Sequence, residues 1–332
     1  MSAADLVAVV ALVAITAYGV LAGADFGSGV WDLFASGPRK RAQREALAHA
    51  IGPVWEANHV WLIFAVVLLF SSFPRAFWAI SVGLFAPLHL VLVGIILRGA
   101  AFVFRAYGSR SETARIRWGT VFGAASVVTP WLLGTALAAI SSGALRVHGE
   151  TIAVGRIWTS PLGIALGSLA LTACAYTAAV FMTLETDGEL REDFRRRALL
   201  TGTLVVALSV LTIPLLGIEA PALRDGLLRG RASPVVALGA VAALVSGGAL
   251  VQRRWVQARV ASVAWVALEI LGWGIAQYPF VVYPDLTLQN TAAPQGVLRF
   301  VLWTTPAGLA LLLPSLWLLF RVFKGQRHND PH

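Results

Sequence analysis

One cysteine, Cys174, stands in a sequence of 332 residues. It lies within the apolar run Leu169–Val180, so the chain can build neither a disulfide framework nor a paired-cysteine metal site of its own. Charge is scarce too: Asp, Glu, Lys and Arg make up 13% of residues, against about 25% in soluble domains. There is no Walker loop, no dinucleotide fingerprint after a strand, no zinc-binding His-Glu motif, and no short-period repeat or low-complexity segment. No Lys or Arg precedes Arg39, so the first apolar stretch lacks the charged leader of a secretory signal and is expected to be a retained helix.

What is abundant is apolar surface. Hydrophobic residues are 58% of the chain and the mean hydropathy is +0.74. Runs of about 20 apolar residues recur along the whole sequence, each long enough to cross roughly 30 Å of hydrocarbon. Nine spans are predicted, near 4–34, 50–72, 76–98, 117–140, 161–185, 197–218, 234–251, 258–284 and 297–320. Backbone groups in lipid must be satisfied within the protein, and runs this continuous exclude alternating barrel strands. The fold class is therefore all-α integral membrane, with residues 1–332 as a single polytopic membrane domain. Pro87, Pro130, Pro214 and Pro306 fall inside spans, where each removes a backbone donor and shapes the helix.

The net charge of +9 forms no continuous basic face of the kind nucleic acid requires. The excess is explained instead by its distribution over the loops. Nineteen Lys and Arg fall on one side, in the clusters around 39–44, 98–117, 191–197, 253–259 and 321–327, and seven on the other. Positive-inside topology then places the amino terminus outside, the carboxyl terminus in the cytoplasm, and residues 35–49, 99–116 and 186–196 on the cytoplasmic side.

A charged side chain at the bilayer centre costs at least about 2.5 to 3.5 kcal/mol, so carboxylates within spans call for a reason. Asp25 lies in Gly23-Ala24-Asp25-Phe26-Gly27-Ser28-Gly29, where small residues permit close approach. Glu56 lies in Pro53-Val54-Trp55-Glu56-Ala57-Asn58-His59-Val60-Trp61. Counted from the cytoplasmic ends of their spans, Asp25 is roughly 14 Å deep and Glu56 roughly 9 Å. The two are candidates for a proton path opening to the cytoplasm; the other reading is a carboxylate neutralised by hydrogen bonds or paired with a buried Arg. His59 shares a helix face with Glu56. His59 and His89 are also conceivable haem ligands, but well-placed axial donors are few, and internal hydrogen bonding is the commoner fate of a membrane histidine. Arg98 closes the third span and either pairs with an anionic group or, the expectation here, snorkels to the interface. Glu269, flanked by Trp265 and Trp273, reads as a protonated or hydrogen-bonded core carboxyl.

Around Asp25 and Glu56 the sequence resembles the second subunit of cytochrome bd-type quinol oxidases. The carrying motifs are Gly-x-Asp-x-Gly-x-Gly in the first span and Pro53 to Leu62 in the second. Leu97-Arg98-Gly99-Ala100 with Phe104-Arg105, Thr186-Asp187-Gly188-Glu189-Leu190-Arg191, and Gly272-Trp273-Gly274-Ile275-Ala276-Gln277-Tyr278-Pro279-Phe280 fit the same family. The resemblance implies two four-helix bundles plus one additional helix in a bacterial cytoplasmic membrane. It implies a heterodimer whose partner, subunit I, carries two b haems, haem d and the quinol-oxidising loop, while this chain binds no haem. In some members the second subunit holds a structural quinone, and a small single-helix accessory subunit is a further conceivable partner. By motif match Asp25 and Glu56 take the positions of proton-pathway carboxylates, with Asn58, His59 and Arg98 as supporting residues. Some members have Asp in place of Glu56 and Gln in place of His59. The loops near 141–160 and 219–233 are too short for a quinol-binding domain. A secondary transporter or proton channel is the rival reading, since buried carboxylates and kinked helices mark those proteins as well.

Overall fold

The chain begins with a cap that fixes where its first helix starts. Ser2 accepts from the Asp5 amide while Asp5 accepts from the Ser2 amide, and α1 runs from Ala3–Leu33. The computed structural model describes the backbone of residues 1–105, 111–156 and 158–325 and, within these, all side chains except those of 51–56, 112 and 319–325. After α1 come α2 (Lys40–Ser72), α3 (Pro74–Gly83), α4 (Phe85–Val103) and α5 (Glu112–Ser142). The hairpin β1 (Leu145–His148) and β2 (Thr151–Val154) leads to α6 (Pro161–Glu185), α7 (Gly188–Glu219), α8 (Pro221–Leu228), α9 (Ser233–Val251) and α10 (Trp255–Gln277). A second hairpin, β3 (Phe280–Val282) with β4 (Leu286–Thr287), precedes the short α11 (Leu288–Thr291) and the long α12 (Gln295–Gly325).

Among the described residues, eight helices are long and apolar enough to cross a membrane. Ala57–Ser72 and Pro74–Gly83 pass the same test only as a pair, bent by 116°. The predicted span 76–98 is thus corrected: Pro74 starts a separate helix, as proline does best at a first helical position, and the crossing segment is α4. Its later start puts Pro87 in the first turn of α4, where its missing donor would lack a partner anyway. The span predicted at 258–284 likewise ends at Gln277, before Pro279, and the chain turns into β3.

α1 is the central helix, packed on α2, α5, α6 and α10. Its glycines make that possible. A Cβ on Gly27 would collide with the Cys174 carbonyl of α6, and one on Gly29 with the Ser126 side chain of α5. α4 packs on α5; α6, α7, α9 and α10 pack around one another, and α12 lies against α1 and α2. At the end of the molecule where α1 begins, both hairpins, α3 and α11 form an apolar cap in which Val7, Phe73, Leu145, Val282 and Leu286 are buried. Arg146 of β1 clamps the second hairpin by donating to both oxygens of Asp285, at 2.8 and 3.1 Å. At the opposite end Arg39, just before α2, and Gln43 of α2 grip Asp193 of α7 at 2.7 to 3.0 Å.

A buried ion-pair cluster as candidate functional site

α1 presents Asp25 to the interior because the turn around it, from Ala22 to Trp31, is buried throughout. Its side chain is fully enclosed, and Arg98 of α4, equally buried, reaches across to it. The guanidinium donates to Asp25 Oδ2 at 2.5 Å, to Oδ1 at 2.6 Å and to the Asp25 carbonyl at 2.6 Å. Arg98 Nε donates to Ser126 Oγ at 2.8 Å. Phe26 and Phe122 cover the guanidinium, with ring centroids 5.0 and 4.7 Å away. From α2, Asn58 Nδ2 donates to Asp25 Oδ2 at 3.2 Å. Asp25 is therefore paired with a buried Arg.

Arg98 does not snorkel. α4 continues for five residues beyond it, so Arg98 stands more than a turn inside the helix end. Its orientation is dictated by charge: an unpaired Asp25 in this enclosure would be costly, and the planar fork of an arginine satisfies both carboxylate oxygens at once.

A second rung lies seven residues further along α1 and just past the end of α4. Arg105 Nη1 donates to Asp32 Oδ2 at 2.8 Å, and Arg44 Nε donates to the Asp32 carbonyl at 3.1 Å. Asp25 and Asp32 on α1 are spaced as are Arg98 of α4 and Arg105 just past its end, and α5 turns Ser126 and Gly119 to the two rungs. Sequence reasoning missed Asp32, although the matched seven-residue spacing of acid and base was there to be read.

Glu56 stands on α2, two residues before Asn58, and its side chain lies outside the described residues. His59 lines a narrow crevice together with Tyr18, Phe26, Asn58, Leu62, Ile95 and Arg98. His89 donates from Nδ1 to the Phe85 carbonyl at 2.7 Å, on an exposed face of α4. Glu269 accepts from Trp265 Nε1 at 3.1 Å, which is the hydrogen bond expected of it, on a face of α10 that this chain alone leaves uncovered; Trp273 donates to Ser141 instead. Among the described residues no group of three or more His, Cys, Asp or Glu could hold a metal ion.

The model of the cytochrome bd terminal oxidase subunit II family matches residues 3–323. The chain is 25% identical to the cytochrome bd-I ubiquinol oxidase subunit 2 of Escherichia coli K12 over 353 aligned residues, covering 92% of this chain and 90% of that one. It is 28% identical to the cytochrome bd ubiquinol oxidase subunit 2 of Bacillus subtilis over 184 residues, 54% of this chain and about half, 52%, of that protein. A chain of the bd oxidase from Geobacillus thermodenitrificans superposes with a TM-score of 0.83 at 25% identity, over 97% of this chain and 99% of that one. A match along nearly the whole sequence, joined to the same fold, leads to one conclusion: the chain belongs to the cytochrome bd terminal oxidase subunit II family, the membrane-embedded second subunits of bd-type quinol oxidases.

Proposed function

We infer that this chain is the haem-free subunit of a bd-type terminal oxidase, that it braces a haem-bearing subunit I, and that it supplies part of the path by which protons reach oxygen from the cytoplasm. In this reading the two b haems and haem d sit in the partner and supply the electron transfer and oxygen chemistry. Quinol is oxidised on the partner as well. The amino terminus lies outside, and α2 with α3 counts as one broken span of nine, in two four-helix bundles, α1, α2, α4 and α5 against α6, α7, α9 and α10, with α12 as the additional helix. Membership in the family displaces the transporter reading.

The observation that carries the proton path is the contact between Asn58 and Asp25. It packs α2, the helix that carries Glu56, against a carboxylate whose charge Arg98 already compensates. An ionisable Glu56 on that helix can take up and release a proton while the charge of Asp25 stays compensated by Arg98. Asp25, Asn58 and Arg98 then act by fixing the electrostatics and the geometry, and His59, on the same face as Glu56, supports the path from the crevice.

Purification of the chain from native membranes tests the assignment. A haem-bearing polypeptide should copurify in equal amount, with a reduced-minus-oxidised haem spectrum and quinol-dependent oxygen consumption. A chain that purifies to homogeneity without such a partner and moves protons or solutes by itself would refute the assignment.

A further inference from the structure

At the end of the molecule opposite the hairpins, α7 and the turn between α9 and α10 bring four arginines around one carboxylate. Arg195 of α7 closes α9 by donating from Nε to the Leu250 carbonyl at 2.8 Å and from Nη2 to the Val251 carbonyl at 3.2 Å. The Glu192 carboxylate is shared: one oxygen lies 3.2 Å from Arg195 Nη1 and the other 3.1 Å from Arg253 Nε. Arg196 and Arg254 are left over. Both are exposed, and their side chains have no hydrogen-bond or ion-pair partner among the described residues. Arg196 follows Glu192 by one turn and so stands on the face of α7 that meets Arg253. Arg253 is held at φ 60°, a left-handed conformation that favours glycine, so an arginine here gives up backbone ease for the sake of its side chain.

Immediately beyond these charges the surface becomes apolar. Leu200, one turn further along the same face of α7 as Arg196, is 61% exposed, and Val256 in the first turn of α10 is 64% exposed. Trp255, which opens α10 under the Arg191 guanidinium, is the residue type that sits at headgroup level. The arginines therefore lie where a bilayer passes from hydrocarbon to phosphate. We propose that they form a binding site for the headgroup phosphate of an anionic phospholipid, taken by the free guanidiniums of Arg196 and Arg254 with Arg253 at the rim, while the acyl chains lie along Leu200 and Val256. A guanidinium fork matches phosphate oxygens two at a time. A zwitterionic lipid brings its own cation to a surface already rich in cations, so the site selects lipids of net negative charge. The inference is independent of the proton path and needs only that these helices cross a bilayer. Arginines that serve only to orient the chain during insertion hold no particular lipid afterwards.

The test uses the intact two-subunit oxidase in non-ionic detergent, supplied with phosphatidylglycerol or phosphatidylcholine, and counts the retained lipids by native mass spectrometry. Wild-type oxidase should keep one more phosphatidylglycerol than oxidase carrying Arg196→Gln with Arg254→Gln. The affinity of that variant for the lipid should be at least about tenfold lower, given roughly fivefold for each arginine at a membrane surface. Its haem content and its retention of phosphatidylcholine should not change. Equal retention of phosphatidylglycerol by the two would overturn the proposal and leave the arginines as topology signals; an equal loss of phosphatidylcholine would overturn it as well, because the site would not then read lipid charge. Thermal protection by inorganic phosphate alone, matching that of phosphatidylglycerol, would assign the site to a free anion and reject the lipid. If the double change prevents assembly, Arg254→Gln alone decides, since its side chain has no described partner to lose: phosphatidylglycerol retention must fall, and an unchanged count rejects the site.

Discussion

Arg98 shows how one residue's role is set by charge that lies far from it in the sequence. Removing its side chain strands Asp25 as an uncompensated anion in an enclosed site, so Arg98→Met should destabilise the complex by about 3 to 5 kcal/mol, read as early thermal loss of haem. Combining Arg98→Met with Asp25→Leu removes both charges and should recover much of that stability, because an apolar pair of similar volume tolerates burial better than a broken ion pair does. Stability equal to wild type in Arg98→Met alone would contradict the burial described here. Asp25 was legible in the sequence from the cost of a carboxylate in lipid and from its glycine-rich surroundings. The behaviour of Arg98 was not, because the end of its helix was placed at residue 98 instead of Val103, and a residue at a helix end is free to snorkel. Asp32 was missed for another reason: its seven-residue spacing from Asp25 matches that of Arg98 and Arg105, but the pattern becomes readable only once Asp25 and Arg98 are known to pair.

At the scale of elements, hydropathy located the crossing helices well and their breaks poorly. The segments 161–185 and 234–251 agree with α6 and α9 within a residue, since proline at the first turn of each marks the start. α2 and α7 begin about ten residues before their apolar runs, because helix continues into polar sequence that hydropathy discounts. The hairpins escaped notice because strands this short carry little periodicity. They are nevertheless anchored: Asp285 accepts from Arg146 and from the Val147 amide at 2.8 Å. The Arg146 guanidinium is the main cause holding the Asp285 carboxyl below its usual range. A depressed carboxylate stabilises the fold above its unfolded value, near 4, and loses that contribution as the pH falls through the lower folded value. Asp285→Asn should therefore cost at most about 1 kcal/mol at neutral pH, given how exposed Arg146 is, and nothing once the pH is well below both values. Thermal melts of the complex at neutral and strongly acid pH check this; an equal deficit at both would contradict the ion-pair account.

For the whole molecule, the lopsided distribution of Lys and Arg predicts an amino terminus outside the cell, although Arg98 itself is engaged in the interior and does not act as a loop charge. A single cysteine at Asp187 should resist an impermeant thiol reagent applied to intact cells, and one at His148 should react; the reverse pattern would invert the topology. The family, the fold and the buried Asp25 cluster all bear on one central claim, that this subunit conducts protons through a carboxyl on α2. The most direct measurement is quinol-driven oxygen reduction by the two-subunit complex carrying Glu56→Gln, with haem content determined on the same preparation. The account predicts full haem content and a turnover at least about tenfold lower, a barrier higher by about 1.4 kcal/mol, with Glu56→Asp keeping much of the activity because it keeps the acid. A Glu56→Gln complex with full haem content and wild-type turnover would contradict it.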